Sequence, residues 1–260
     1  MIFFPLLYNV PAMVGHTTLH NFPPNNWEKF LVKSKSINLS WTDGEKWSTK
    51  IIGSLDPYES KKISYYDIKN LLPLDTLPLL SLTDKAPNTI SNSINFENNL
   101  GTTWPMWRAT LGLENNNSIT SYQGELIPFP ISGSMLSLAP FFQKDAEISY
   151  LIFVNIETKP ESREGLIEIF SSKTKEKILS KKIKTNNISI IDITGVSIDN
   201  DDMLVFKSTD LSSIPLIFSS SNNFTNLSLE HTHPPAALSI LGNRFMVQKD
   251  IKKKWFQLLS

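Results

Sequence analysis

Short runs rich in β-branched and aromatic residues, each closed by Asn, Asp, Gly, Ser or Pro, constrain this chain more than anything else in it. Examples are "SINLSW" (36–41), "STKIIGSL" (48–55), "KISYYDI" (62–68), "ISYLIFVNI" (148–156), "GLIEIFS" (165–171), "ISIIDI" (188–193) and "MLVFKS" (203–208). Runs of this length suit a strand and are too short for a helix, and the residues between them are turn formers. They predict an all-β chain of sandwich units, Ig-like or jelly-roll-like, with little helix. One large sandwich would also fit the strand content.

The halves resemble each other in order. "KKISYYDIKN" (61–70) matches "NNISIIDITG" (186–195), and "LPLLSLTD" (77–84) matches "MLVFKSTD" (203–210). "SINLSW" is laid over "ISYLIF" (148–153), and "SINFENN" (93–99) over "NNFTNLS" (222–228). A common order of weak matches is the mark of an internal duplication. The expected organisation is an extended N-terminal segment at 1–15, one unit at 16–117, a second at 118–243 and a C-terminal amphipathic helix at 244–260. In that last segment Ile251, Trp255, Leu258 and Leu259 fall at helical spacing, with Lys252, Lys253 and Lys254 biased away from the stripe.

Composition excludes several classes. Lys+Arg and Asp+Glu stand at 25 each, so no overall positive charge argues for nucleic acid. The absence of cysteine excludes disulfides, thiolate metal sites and cysteine nucleophiles. No stretch approaches the ~18 apolar residues of a membrane span. "MIFFPLLYNVPAMVG" lacks a basic start and is broken by Pro5. It is read as a segment packed on the fold, with a cytoplasmic location expected. "DNDD" (199–202) lacks the remaining calcium-loop ligands and reads as a solvated turn; Asp67 and Asp192 are expected to serve turn hydrogen bonds.

The four histidines occur as two close pairs, in "GHTTLH" (15–20) and "EHTHPP" (230–235). Imidazole accepts Zn or Fe, so His16, His20, His231 and His233 form a candidate metal set, with Glu125 or Glu230 as general base. Against this stands the plain reading that each pair supports a loop. The metal-free alternative uses Trp104, Trp107, Tyr122 and Arg108 to stack on and bond a sugar ring. The overlay makes "GHTTLH" and "TSYQGE" (120–125) one kind of loop, and "TWPMWRA" (103–109) and "EHTHPP" another. The leading expectation is a soluble protein that binds a small polar molecule or glycan at a His-rich site between the units, with or without a divalent transition metal. The alternatives are a hydrolase using a His-bound water and a non-catalytic structural or interaction module.

Overall fold

The structure, a computed structural model, describes residues 3–22, 33–73, 75–83, 90–94, 108–123, 134–139, 142–211, 215–232 and 244–259. The chain separates into two compact units. The first comprises Met1–Pro128 with Ile156–Ser162 and Asn186–Ile188; the second comprises Phe129–Asn155, Arg163–Thr185 and Ser189–Ser260.

The first unit contains β1 (Phe4–Pro5), β2 (Val14–His20), β3 (Lys35–Thr42), β4 (Trp47–Leu55) and β5 (Ser60–Ser64), then the short helix α1 (Tyr65–Ile68). After it come β6 (Leu79–Thr83), β7 (Ile90–Ser91), β8 (Arg108–Glu114) and β9 (Ile119–Gln123). They form a sheet of order β1-β6-β3-β4-β7 and a second of order β5-β2-β8-β9. Alternation along each strand makes the sandwich. Phe4, Ile37, Leu39, Leu80 and Leu82 from the one sheet meet Leu19, Ile63 and Ala109 from the other in one core. The N-terminal segment is part of that core, as expected: Phe4, Leu6 and Leu7 are fully buried, and β1 pairs with β6. β9 folds back on β8 through a turn where Asn115 Oδ1 accepts the amides of Asn117 and Ser118.

The second unit contains β10 (Met135–Ala139), β11 (Ile148–Asn155), β12 (Glu164–Ser171), β13 (Lys177–Lys184), most of β14 (Asn187–Asp192), β15 (Leu204–Ser208), β16 (Leu216–Ser220) and β17 (Leu227–His231). The helix α2 (Arg244–Leu258) closes the chain. The sheets run β10-β15-β12-β13 and β14-β11-β16-β17. Their core joins Met135, Ile167, Ile169, Leu204 and Phe206 to Leu151, Phe153, Ile191 and Ile217.

Set β7 aside, and both units have one strand order. The first, sixth, third and fourth strands make one sheet; the fifth, second, seventh and eighth make the other. Two of the four sequence matches follow this order: "KKISYYDIKN" with "NNISIIDITG" joins β5 to β14, and "LPLLSLTD" with "MLVFKSTD" joins β6 to β15. The other two are displaced. "SINLSW" is β3, whose counterpart is β12, while "ISYLIF" is β11. "NNFTNLS" is the turn between β16 and β17, whose counterpart is the turn between β8 and β9, not 93–99. Strand sequences repeat the same apolar alternation, so a match one strand out of place scores as well as the true one. The aspartates of this pair both bond a nearby amide, Asp67 inside α1 by reaching back to its N-cap and Asp192 at the end of β14 by turning forward. Asp67 Oδ2 accepts the Ser64 amide at 2.8 Å, and Asp192 Oδ1 accepts the Thr194 amide at 2.8 Å.

Helix α2 packs on the outer face of the β10-β15-β12-β13 sheet. Trp255, Phe256 and Leu259 lie against Leu136, Leu138, Phe170 and Val205. This turns the helix from the expected stripe, because Leu258 is 57% exposed and Phe256 takes its place. Polar bonds set the rotation. Lys252 Nζ donates to the Ser134 carbonyl at 2.6 Å, and Lys207 Nζ donates to the Leu259 carbonyl at 2.6 Å. Lys252, Phe256 and Leu259 then share a face at i, i+4, i+7. Among the described residues no helix is long and apolar enough to cross a membrane.

Candidate functional site

"GHTTLH" is a strand, not a loop. It forms most of β2, in the middle of the β5-β2-β8-β9 sheet. Leu19 enters the core, so the alternate residues Val14, His16, Thr18 and His20 stand on the outer face. Four residues of strand separate the Cα atoms of His16 and His20 by ~13 Å. A helical turn would have brought them together; the strand gives each its own surroundings.

His16 is 2% exposed although it lies on an outer face. Its ring lies across Gly112, opposite it on β8. A Cβ at Gly112 would fall 2.3 Å from the imidazole Cε1 and Nε2, so the missing side chain makes the space. Lys62 stands opposite Thr18 on β5, and Glu114 stands opposite Val14 on β8. The Lys62–Glu114 ion pair therefore crosses β2 at the level of His16 and covers it. Among the described residues the buried Nδ1 of His16 has no hydrogen-bond partner. Burial first, and Lys62 second, hold the imidazole below its usual pKa, with Glu114 opposing them. His16 is thus a neutral, enclosed imidazole.

That burial has a pH consequence. Unfolded His16 takes a proton near pH ~6.5, and the folded chain resists it. Stability of the first unit is full above that pH and falls as pH drops below it. Burial lowers the pKa of His20 in the same sense. Urea midpoints measured from pH ~8 down to ~5 are expected to decline, with a shallower slope in His16→Asn. A midpoint that holds or rises on acidification would contradict the enclosed neutral ring.

His20 has a different neighbourhood. Its Nδ1 lies 2.7 Å from Ser60 Oγ, and its ring stands 6.2 Å from that of Phe22. Phe22 meets Tyr58 edge to face at 6.4 Å. Phe22 is 43% exposed and Tyr58 is 64% exposed. The three rings form a series along the end of β2 and the turn between β4 and β5.

The turn carrying Tyr58 is strongly held. Tyr58 adopts φ 66°, a conformation a bulky residue rarely takes. Its amide donates to the Asn21 carbonyl at 2.8 Å, and the Asn21 amide donates to the Glu59 carbonyl at 3.0 Å. Asn21 is fully buried and gives its Nδ2 to the carbonyls of Lys33 and Leu55. Glu59 Oε2 accepts the Asp56 amide at 2.9 Å. The exposed ring is presented by a backbone that cannot easily follow it.

Arg108 is opposite His20 in the β2–β8 register. Tyr122 pairs with the fully buried Leu111, which places it at a core-facing position of the same sheet. Glu230 and His231 belong to β17 in the second unit. His233, Glu125, Trp104 and Trp107 lie outside the described residues. Among the described residues no three His, Asp or Glu side chains gather as a metal site. By strand order the two stretches are not counterparts: "TWPMWRA" precedes and enters β8, whose counterpart is β16, whereas "EHTHPP" begins in β17.

"DNDD" is a turn that ties down a hairpin. Asp202 accepts Ser171 Oγ at 2.5 Å, Ser172 Oγ at 2.6 Å and the amides of Lys173 and Met203. Burial raises its carboxyl, and these hydrogen bonds outweigh burial and bring it to about 2. Lys173 Nζ lies 3.0 Å from both Asp199 and Asp201.

His20 was singled out in the sequence as a metal ligand; its ring neighbours Phe22 and Tyr58 were not. "LHNF" carries the signal for the first, since His20 and Phe22 are two apart on an extended chain. "LDPYES" carries it for the second, a Pro turn that presents an aromatic ring. Compared with known proteins, the chain matches no family model, no curated protein and no solved structure.

Proposed function

We propose that the chain is a non-catalytic binding module whose first sandwich takes a ring-shaped polar ligand, a sugar or sugar derivative, on the rim formed by His20, Phe22 and Tyr58. The exposed ring series on a held turn carries this reading. A pyranose has an apolar C–H face that lies on an aromatic ring and an edge of hydroxyls that needs donors and acceptors. Tyr58 and Phe22 offer the faces. Ser60 Oγ offers the hydroxyl partner, and with Nδ1 turned to Ser60, His20 keeps Nε2 for the ligand. Preorganisation favours the site, because little backbone freedom is lost on binding. The reading needs no metal.

The test is a glycan array followed by calorimetry on the best-retained ligand, with wild type and Tyr58→Ala. Retention of one glycan class is expected, with affinity about tenfold weaker in the variant, ~1.4 kcal/mol. Thermal stability should be unchanged, since the ring is largely exposed. No retained glycan, or equal affinity in the variant, would remove the proposal.

A further inference from the structure

The second unit carries a dense run of lysines along one hairpin. Between residues 173 and 184 six lysines, at 173, 175, 177, 181, 182 and 184, stand against one acid, Glu176. Most of them lie on β13, the edge strand of its sheet. In the register Lys182 is opposite Leu166 and Lys184 is opposite Glu164. Ile167, Ile169 and Ile183 are the core residues of this hairpin, so Leu166, Lys182 and Lys184 belong to the outer face. Leu166 is 39% exposed there, and the Lys182 side chain is 79% exposed.

Helix α2 occupies the other part of the same face. Its apolar side is spent on Leu136, Phe170 and Val205. It leaves Lys253, Lys254 and Leu258 to solvent. The two parts meet at Lys207, which binds the Leu259 carbonyl and lies 3.7 Å from Glu168, two residues along β12 from Leu166. Some of the charge is neutralised locally. Lys177 pairs with Glu168 at 3.0 Å, and Lys182 sits 3.9 Å from Glu164. Lys181, Lys184, Lys253 and Lys254 make no ion pair among the described residues.

Lysines on an edge strand guard against edge-to-edge pairing. That purpose needs only charge on the edge. It does not need two exposed leucines, nor the lysines of a helix packed beside the sheet. Lysines interspersed with leucines match an anionic lipid surface, where ammonium groups meet headgroup phosphate and carboxylate and leucines reach the acyl boundary. A nucleic acid would use the lysines and leave the leucines without a partner. We propose that the outer face built from β12, β13 and the exposed side of α2 docks the protein on anionic membrane surfaces. This docking is independent of the sugar reading, which concerns the other unit.

The test is co-sedimentation of the full chain with vesicles of phosphatidylcholine alone and of phosphatidylcholine with phosphatidylserine. Binding to the anionic vesicles only is expected, and it should fade as salt rises from ~0.01 M to ~1 M. Each exposed lysine near such a surface is worth about fivefold in partitioning. The variant Lys182→Glu/Lys184→Glu/Lys254→Glu should therefore lose about 100-fold, with its circular dichroism spectrum intact. Leu166→Ser/Leu258→Ser should weaken binding severalfold and leave the salt dependence unchanged. Three results would each overturn the proposal: wild type that ignores anionic vesicles, wild type that binds neutral vesicles equally, or wild type that prefers duplex DNA at matched phosphate. The last would assign the face to nucleic acid. These arms hold even if the charge-reversal variant fails to fold.

Discussion

Gly15→Ala is expected to destabilise the first sandwich by about 3 kcal/mol or more, with loss of amide protection in β1, β2 and β6. Gly15 lies on the inner side of β2, where the N-terminal segment crosses it. A Cβ there would fall 1.8 Å from the Leu7 carbonyl oxygen and 2.6 Å from its carbon. Both are backbone atoms, so no side chain can turn away. Neither can the segment retreat. Leu7 is fully buried, the Leu6 amide donates to the Pro78 carbonyl at 3.0 Å, and Thr17 Oγ1 donates to the Pro5 carbonyl at 3.0 Å. Gly44→Ala is the control. Gly44 has φ 94° and open space around its Cβ position, so only the strain of a left-handed residue is added, about 1 kcal/mol. Urea unfolding with hydrogen exchange separates the two. Equal effects at both positions would mean that the close approach at Leu7 is not as drawn.

Trp47→Ala should cost about 3–5 kcal/mol, chiefly through the cavity it leaves. The side chain is 1% exposed at the start of β4. Its Nε1 donates to the Thr158 carbonyl at 2.9 Å, and Thr42, paired with it across β3–β4, donates to the Pro160 carbonyl at 3.1 Å. These bonds hold segment Ile156–Ser162 on the sheet, helped by Asn186, whose Nδ2 donates to the Lys159 carbonyl at 2.8 Å. Loss of the indole therefore opens a cavity and frees a strap. Trp47→Phe keeps most of the apolar area and removes the Nε1 bond, so about 1 kcal/mol of loss is expected. Chemical denaturation gives the magnitudes, and limited proteolysis within 156–162 reports the strap. A Trp47→Ala loss no larger than that of Trp47→Phe would contradict this account.

Local chemistry was readable directly. Alternation of apolar residues marks the strands because a sheet face repeats every second residue, and "SINLSW", "GLIEIFS" and "MLVFKS" all became strands. Asp67 and Asp192 bond amides within a few residues, so their role needs no distant partner. The helix at the end was legible from its spacing, but its rotation was not. Carbonyls of Ser134 and of Leu259 itself, met by lysines at 252 and 207, decide which side faces the sheet.

The histidine pairs show the same division at the candidate site. Spacing by four suits a helical turn, and only placement in β2 sets His16 and His20 far apart. The enclosure of His16 depends on Gly112, Lys62 and Glu114, which lie tens of residues away in the chain. Phe22 joins Tyr58 only because the backbone of Asn21 pairs with the turn between β4 and β5.

The amino-acid sequence by itself determined the strand content, the terminal helix and the aspartates that bond nearby amides. All of these follow from contacts between near neighbours or from a residue's own conformational preference. Tertiary structure alone decided which strand of one half answers to which of the other, which way the helix faces, and which side chains meet at the rim. Those are long-range pairings, and many registers of similar apolar strands satisfy local preference equally well. The choice among them is made by packing the whole core at once.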